Sequence, residues 1–517
     1  MASKTDKPPL VIFGLDAGDP DFISKWAKEG FLPTIASLFE NGSWGKVTGP
    51  ELICEHGIWV SLFSGISRSK HGYYYYQQLK PGTYDLQPMY GEKLRIPPFW
   101  SYLNQYSNKN IFIMDVPDGY IIDRLSGIQI MNWATHDMQL PFLTEPNGLR
   151  EYIHDNFGSR MKIDEKLNSH LTTDLRIYRQ LLERIQKRGS LCRGLLKTKE
   201  FDLIVIAFSE SHTATHQFWQ YKSDMDKLET KAERSHGLAN GIRNIYQAID
   251  REMGLIISEL PENANVVVVS STGMQGQYPS IGLTEDFCHK LGYQVRKEIG
   301  LSTSAGPTKP INLIRKIIPQ SYRTMLSGLL PQKTQEFLLA DKFRTATDWE
   351  KTAAFSIPSV YTSFVRINLR GREPKGIIGP GQEYEDVIQR LESDFIKLVD
   401  PQTGQPAVQE VKRTDKLFGG GPSLLLPDLF VNWKPCAHFI DKLMHPKTTL
   451  VQKKPEFFRG SDHTGTGLII SAGPDIQKRG FVGNLSLLDL VPTFLSLLGQ
   501  PQSKELHGKV VQEIINP

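Results

Sequence analysis

The chain has 517 residues, enough to bury a large core and to carry an inserted subdomain, and its 39% hydrophobic and 22% charged content is that of a soluble globular protein. A net charge of +4 without a basic block gives nucleic-acid binding no support, and Cys54, Cys192, Cys288 and Cys436 are too far apart for a disulfide framework. The opening MASKTDKPP lacks the apolar run of a signal peptide, and residues 485–498, broken by Asp489 and Pro492, fall short of a membrane span of ~20 residues. These features predict a cytoplasmic protein that engages neither nucleic acid nor membrane.

Residues 10–15, LVIFGL, read as a buried strand ending at Asp16. A carboxylate there suits a cation or a turn cap equally. Residues 22–28 read as a helix, and residues 32–47 as a helix, a turn at Gly42 and a strand. Glu55 and His56 follow in a Gly-bounded loop, then four tyrosines at 73–76. Tyrosines in such a run line a pocket or pack on a surface. WATHD, residues 133–137, follows the strand-like GIQIMN and offers His136 to a pocket.

The stretch 201–219, FDLIVIAFSESHTATHQFW, is the most informative. A buried strand over 203–208 leads into Glu210, His212 and His216. Ligands of open α/β sheets bind where such strands end. On a helix, positions 212 and 216 share a face at roughly 5–6 Å, close enough for one metal ion. An isolated His-x-x-x-His is also a common surface pair, so further ligands must decide. VVVVS, residues 266–270, is another buried strand, and His463 sits in GSDHTGTGLIISAGPDI after Asp462. Residues 281–351 contain amphipathic helical patterns and read as an inserted cap, with the α/β core formed by 1–280 and 352–517.

GLD at the first strand, LPTIASLFENGSWG, SLFSGISRSKHG, IYQAIDREMG, INLRGREPKGII, LVDPQTGQP, LPDLFVNW and LLDLVPTFLSLLGQP occur in one order along most of the chain. In this the chain resembles the type I phosphodiesterase and nucleotide pyrophosphatase branch of the alkaline phosphatase superfamily. The resemblance implies an alkaline-phosphatase-like α/β fold, with a mostly parallel sheet covered by helices on both faces. It also implies two metal ions, usually zinc, around a Thr or Ser nucleophile.

Carried over position by position, the resemblance implies an altered site. Asp16 keeps the first-strand ligand. The nucleophile position, counted back from Trp59, falls on Glu55, or on Cys54 with a slip of one. The Asp-His pair of the same metal is replaced by Ser271 and Thr272, which are weak ligands. At the other metal, His212 replaces an Asp while His216 and His463 are kept. One divalent transition metal, zinc or iron or manganese, is therefore expected on His212, His216, His463 and Glu55. Glu55 has two further readings, a carboxylate held by a basic neighbour and a covalent nucleophile. Asp16, His56, His136, Glu210 and Asp462 are expected to orient the ligands or line the substrate pocket.

Three functions follow as expectations. The first is a metalloenzyme that hydrolyses a small phosphoester or related ester with metal-activated water. The second is a non-hydrolytic iron or manganese enzyme, and the third is an inactive binding protein on the same fold.

Overall fold

The computed structural model describes residues 7–106, 109–135, 140–161, 163, 170–222, 237–276, 282–297, 340–341, 343–360, 362–436, 438–453 and 460–516. His136 and most of the expected insertion, residues 298–339, lie outside the described residues.

A nine-stranded sheet forms the centre. Its spatial order is Gly480–Ser486, Ser43–Thr48, Gly467–Ala472, Asn265–Ser270, Leu10–Leu15, Leu203–Phe208, Ile111–Met114, Gly127–Met131 and Leu143–Glu145. Five of its eight neighbour pairings are parallel, which makes the sheet mostly parallel. LVIFGL and LIVIAF are apolar at every position because helices cover both faces of the sheet. Val11, Phe13 and Leu15 pack with the helices Leu171–Leu196 and Gly241–Ile257, while Leu10 and Ile12 pack with Ile58–Ser64 and Leu490–Leu497. This is the alkaline-phosphatase-like α/β architecture that the sequence implies.

The register sets the site. Leu15 is level with Phe208 on one side and with Ser270 on the other. Asp16, Ser209 and Ser271 therefore leave the sheet at one edge, the carboxyl ends of three adjacent parallel strands.

A smaller unit stands beside this sheet. The antiparallel strands Ala354–Ile357, Ser363–Ile367, Leu429–Trp433 and Val408–Arg413 pair in that order. Residues 354–451, which the sequence reading put in the core, thus build sheets of their own. The helices Leu283–Lys290 and Gln382–Ile396 share a hydrophobic cluster with one face of that four-stranded sheet. The chain leaves the main unit after Gly273–Gly276 and returns in Ser461–Thr464, which pairs antiparallel with it, His463 opposite Met274. Among the described residues, no helix is long and apolar enough to cross a membrane.

Candidate metal centre

Strand Leu203–Phe208 passes directly into the helix Glu210–Phe218, which is buried throughout. This places His212 and His216 one turn apart on the edge beside Asp16. Asp16 accepts hydrogen bonds through Oδ1 from the Trp59 indole at 2.8 Å and from Ser271 Oγ at 3.4 Å. Its Oδ2 lies 3.0 Å from His212 Nδ1. The first-strand carboxylate thus grips an imidazole and fixes the ring, with Nε2 on the side away from Asp16.

His216 is held in the same way. Its Nδ1 lies 2.9 Å from Ser461 Oγ, and its Nε2 lies 3.2 Å from His463 Nε2. The centroids of the three rings are 4.8 Å apart for His212 and His216, and 5.0 Å apart for each with His463. One ligand nitrogen from each of the three can be chosen so that all lie within 4.8 Å of one another. Two zinc–nitrogen bonds of ~2.0–2.1 Å at a tetrahedral angle set their nitrogens about 3.3–3.4 Å apart, close to the His216–His463 spacing. The donor set fits one borderline divalent ion.

Glu55 joins this cluster. Its Oε2 lies 2.6 Å from His463 Nε2, and its Oε1 lies 3.1 Å from His56 Nδ1. Burial works to raise the Glu55 carboxyl, but His463 and His56 outweigh it and hold it well below the usual carboxylate range. Burial works to lower His463, but Glu55, with Asp462 and Asp16, raises it above the usual imidazole value. His56 itself packs among the rings of Tyr73, Tyr75 and Tyr76.

The loop that carries Glu55 is clamped by Arg68, a fully buried residue. Its guanidinium donates to the carbonyls of Glu51, Cys54, His56 and Tyr73. At Gly57 the backbone is left-handed at φ +79°, and a Cβ would run into the carbonyl oxygen of Tyr73. Cys54 faces Arg68 and the Tyr74 carbonyl, and burial pushes its thiol up to about 11. The alternative of Cys54 in the nucleophile position is therefore set aside, and Glu55 is the residue presented to the imidazoles.

One further expectation changes. Glu210 does not orient an imidazole, because Arg184 and Arg188 hold its two oxygens at 2.6 and 2.5 Å. Asp462 accepts from the backbone N–H of His463 at 2.7 Å and lines the same cavity as Glu55 and His463, as a pocket residue. Ser271 and Thr272 have their hydroxyls engaged, Ser271 with Asp16 and the Ala17 N–H, Thr272 with the Thr464 carbonyl. Trp59 and Arg68 were not read as site residues from the sequence. The signal for both lies in WVSLFSGISRSKHG, where Trp59 is the sole tryptophan and Arg68 the first basic residue.

A cavity of about 250 Å³ opens onto Glu55, His56, His463 and Thr272, with Tyr74 and Tyr75 on its wall. Of the three imidazoles, His463 lines it.

The family model described as type I phosphodiesterase / nucleotide pyrophosphatase matches residues 10–417. Murine ectonucleotide pyrophosphatase/phosphodiesterase 5 is similar in structure, with a TM-score of 0.51 at 11% identity over 98% of this chain and 100% of that one. The human protein of the same name gives 0.51 at 11% identity over 98% and 100%. An inactive form of the murine protein in complex with AMP gives 0.51 at 12% identity over 99% and 100%. At these identities the likeness is one of fold. A search of curated proteins finds no sequence match. With the fold, the edge of the sheet and the family model in agreement, the chain belongs to the type I phosphodiesterase/nucleotide pyrophosphatase family of metal-dependent hydrolases in the alkaline phosphatase superfamily.

Proposed function

We propose that this protein hydrolyses a small phosphoester with water, using one divalent transition ion held by His212, His216, His463 and Glu55. The convergence of three imidazoles on one point carries this reading. A divalent cation supplies Lewis acidity at such a site and makes water a better nucleophile at neutral pH. Asp16 and Ser461 hold two of the rings in place through their Nδ1 atoms. Glu55 brings a negative charge that three neutral imidazoles lack. The hydroxyls of Ser271 and Thr272 are turned to protein partners, which favours one ion over two. The four cysteines are free, in keeping with a reducing compartment, and cytoplasm is the proposed location.

Metal analysis of protein purified without added metal tests the reading. Zinc at one equivalent supports it. Two ions, one of them on Asp16, overturn it. Iron or manganese favours the non-hydrolytic alternative, since imidazole and carboxylate donors suit those ions as well. An absence of metal favours the binding protein.

Glu55→Gln is expected to weaken metal affinity by at least about 10–100-fold, the loss seen when even a partner that only orients a ligand is removed, while the far-ultraviolet spectrum stays that of the parent. Full metal content and full activity in that variant make Glu55 a bystander. Glu55→Thr alone restores the family's residue type and is expected to give no vigorous phosphodiesterase, because Ser271 and Thr272 remain.

A pH dependence follows from the same contact. Glu55 raises the proton affinity of His463, so a proton competes with metal at that ring to a higher pH than at an ordinary imidazole. Metal affinity is therefore expected to rise with pH up through and beyond the usual imidazole range. In Glu55→Gln the same rise is expected at lower pH. Calorimetric titration of metal at a series of pH values reads both, and a flat profile contradicts them.

A further inference from the structure

One wall of the cavity comes from the smaller unit, and its chemistry is legible from the strand register. In the four-stranded sheet, Phe364 and Lys412 lie opposite Phe430, and Glu410 lies opposite Asn432. Opposite residues of an antiparallel pair share a face, as do alternate residues along a strand. Thr362, Phe364, Phe430, Asn432, Glu410 and Lys412 therefore share one face. Its apolar part packs on the loop region beside Glu55, Phe364 lying 5.0 Å from Tyr74 and 5.6 Å from Tyr75 between ring centroids. Its polar part lines the same cavity as Glu55 and His463.

That polar part is a connected row. Thr362 Oγ1 donates to Asn432 Oδ1 at 3.4 Å. Asn432 Nδ2 donates to Glu410 Oε1 at 2.9 Å. Lys412 Nζ lies 2.7 Å from that same Oε1. The Glu410 and Lys412 side chains stay 39% and 36% exposed, and an exposed ion pair of this kind adds little to stability. Among the described residues, both bonds to Glu410 fall on Oε1 and leave Oε2 as an acceptor. Lys412 spends one of its three donors on the pair.

We propose that this row selects phosphoesters whose second half is a small polyol or sugar. The inference rests on the phosphoester-hydrolase reading of the site and names its substrate class. Of two adjacent hydroxyls, one donates to Glu410 Oε2 and the other accepts from the Lys412 ammonium. A carboxylate or second phosphate in that half faces Glu410 and Asp462, two like charges on the same cavity. An apolar group strips water from the row and returns no hydrogen bond. The cavity of about 250 Å³ lies below the ~300–1,000 Å³ usual for ligand clefts, which suits a monosaccharide and not a dinucleotide.

Calorimetric binding of glucose 1-phosphate, ethyl phosphate and adenosine monophosphate to the full chain, with one equivalent of zinc and after chelation, tests this, the chelated arm being free of metal-assisted turnover. Glucose 1-phosphate is expected to bind about tenfold more tightly than ethyl phosphate, the ratio of one added charge-assisted hydrogen bond. In Glu410→Gln and in Lys412→Met that ratio is expected to fall toward one. Equal affinities in the parent overturn the proposal, as does a preference that survives both variants. Adenosine monophosphate binding more tightly than glucose 1-phosphate overturns it in favour of ring stacking on Tyr75. A sugar preference in a chain that proves to hold no metal upholds the row and removes the metal reading, so the two failures are distinct.

Discussion

Replacing His463 with alanine is expected to abolish metal binding and to lower phosphoester hydrolysis by at least about a hundredfold, with the fold intact. Three observations make this the largest functional effect. His463 Nε2 is 3.2 Å from His216 Nε2 and 2.6 Å from Glu55 Oε2, so it is the point at which the helical imidazoles and the loop carboxylate meet. The strand that carries it, Ser461–Thr464, is held by backbone pairing with Gly273–Gly276 and does not depend on the ring. Removal of the ring also strips Glu55 of the neighbour that contributes most to its low pKa, leaving His56 as its partner. Metal content by elemental analysis and a circular dichroism melt separate the outcomes. An unfolded variant assigns His463 to the core, and a folded variant with full metal content removes it from the ligand set.

Arg188→Met is expected to have the largest effect on stability, a loss of about 3–5 kcal/mol. Arg188 is fully buried, and its guanidinium meets Glu210 Oε2 at 2.5 Å, Asp115 Oδ2 at 3.3 Å and the Ala134 carbonyl at 2.5 Å. Methionine fills much of the same space but leaves two buried carboxylates without that cation. Burial already pushes the Asp115 carboxyl up, even with Arg188 beside it. A second change, Asp115→Asn in the Arg188→Met background, removes the carboxylate left without its cation and is expected to recover part of the loss. Denaturant unfolding of the single and double variants measures this. A loss under about 1 kcal/mol in Arg188→Met is the size of an exposed pair and contradicts the buried reading.

The sequence shows the central strands because their apolar runs have no polar face. LVIFGL and LIVIAF admit no other placement than the middle of a covered sheet. VQEVKR, by contrast, has four polar residues among its six and is only partly buried at its centre, as befits an antiparallel strand with one wet face. The imidazole cluster was reached through family positions, since no local spacing links His463 to His216 across 247 residues.

Glu210 misleads because adjacency along a chain is not adjacency on a helix. Two residues before His212 is more than half a turn away, which aims Glu210 at the facing helix Leu171–Leu196. Arg184 and Arg188 stand one turn apart on that helix and take both its oxygens. The grip of Asp16 on His212 is equally invisible in sequence. It follows from the level register of Leu15 and Phe208, which only the folded sheet defines.

The return of the chain beside its point of departure has a consequence for synthesis. His212 and His216 leave the ribosome on a helix that follows its strand directly, whereas His463 is made 247 residues after His216. At ~5–20 residues per second that interval is roughly 12–50 s. Until it ends, a nascent chain offers an incoming ion only two of the three imidazoles. On the proposed ligand set, metal capture is thus a late event, and products truncated within the smaller unit are expected to emerge without the ion.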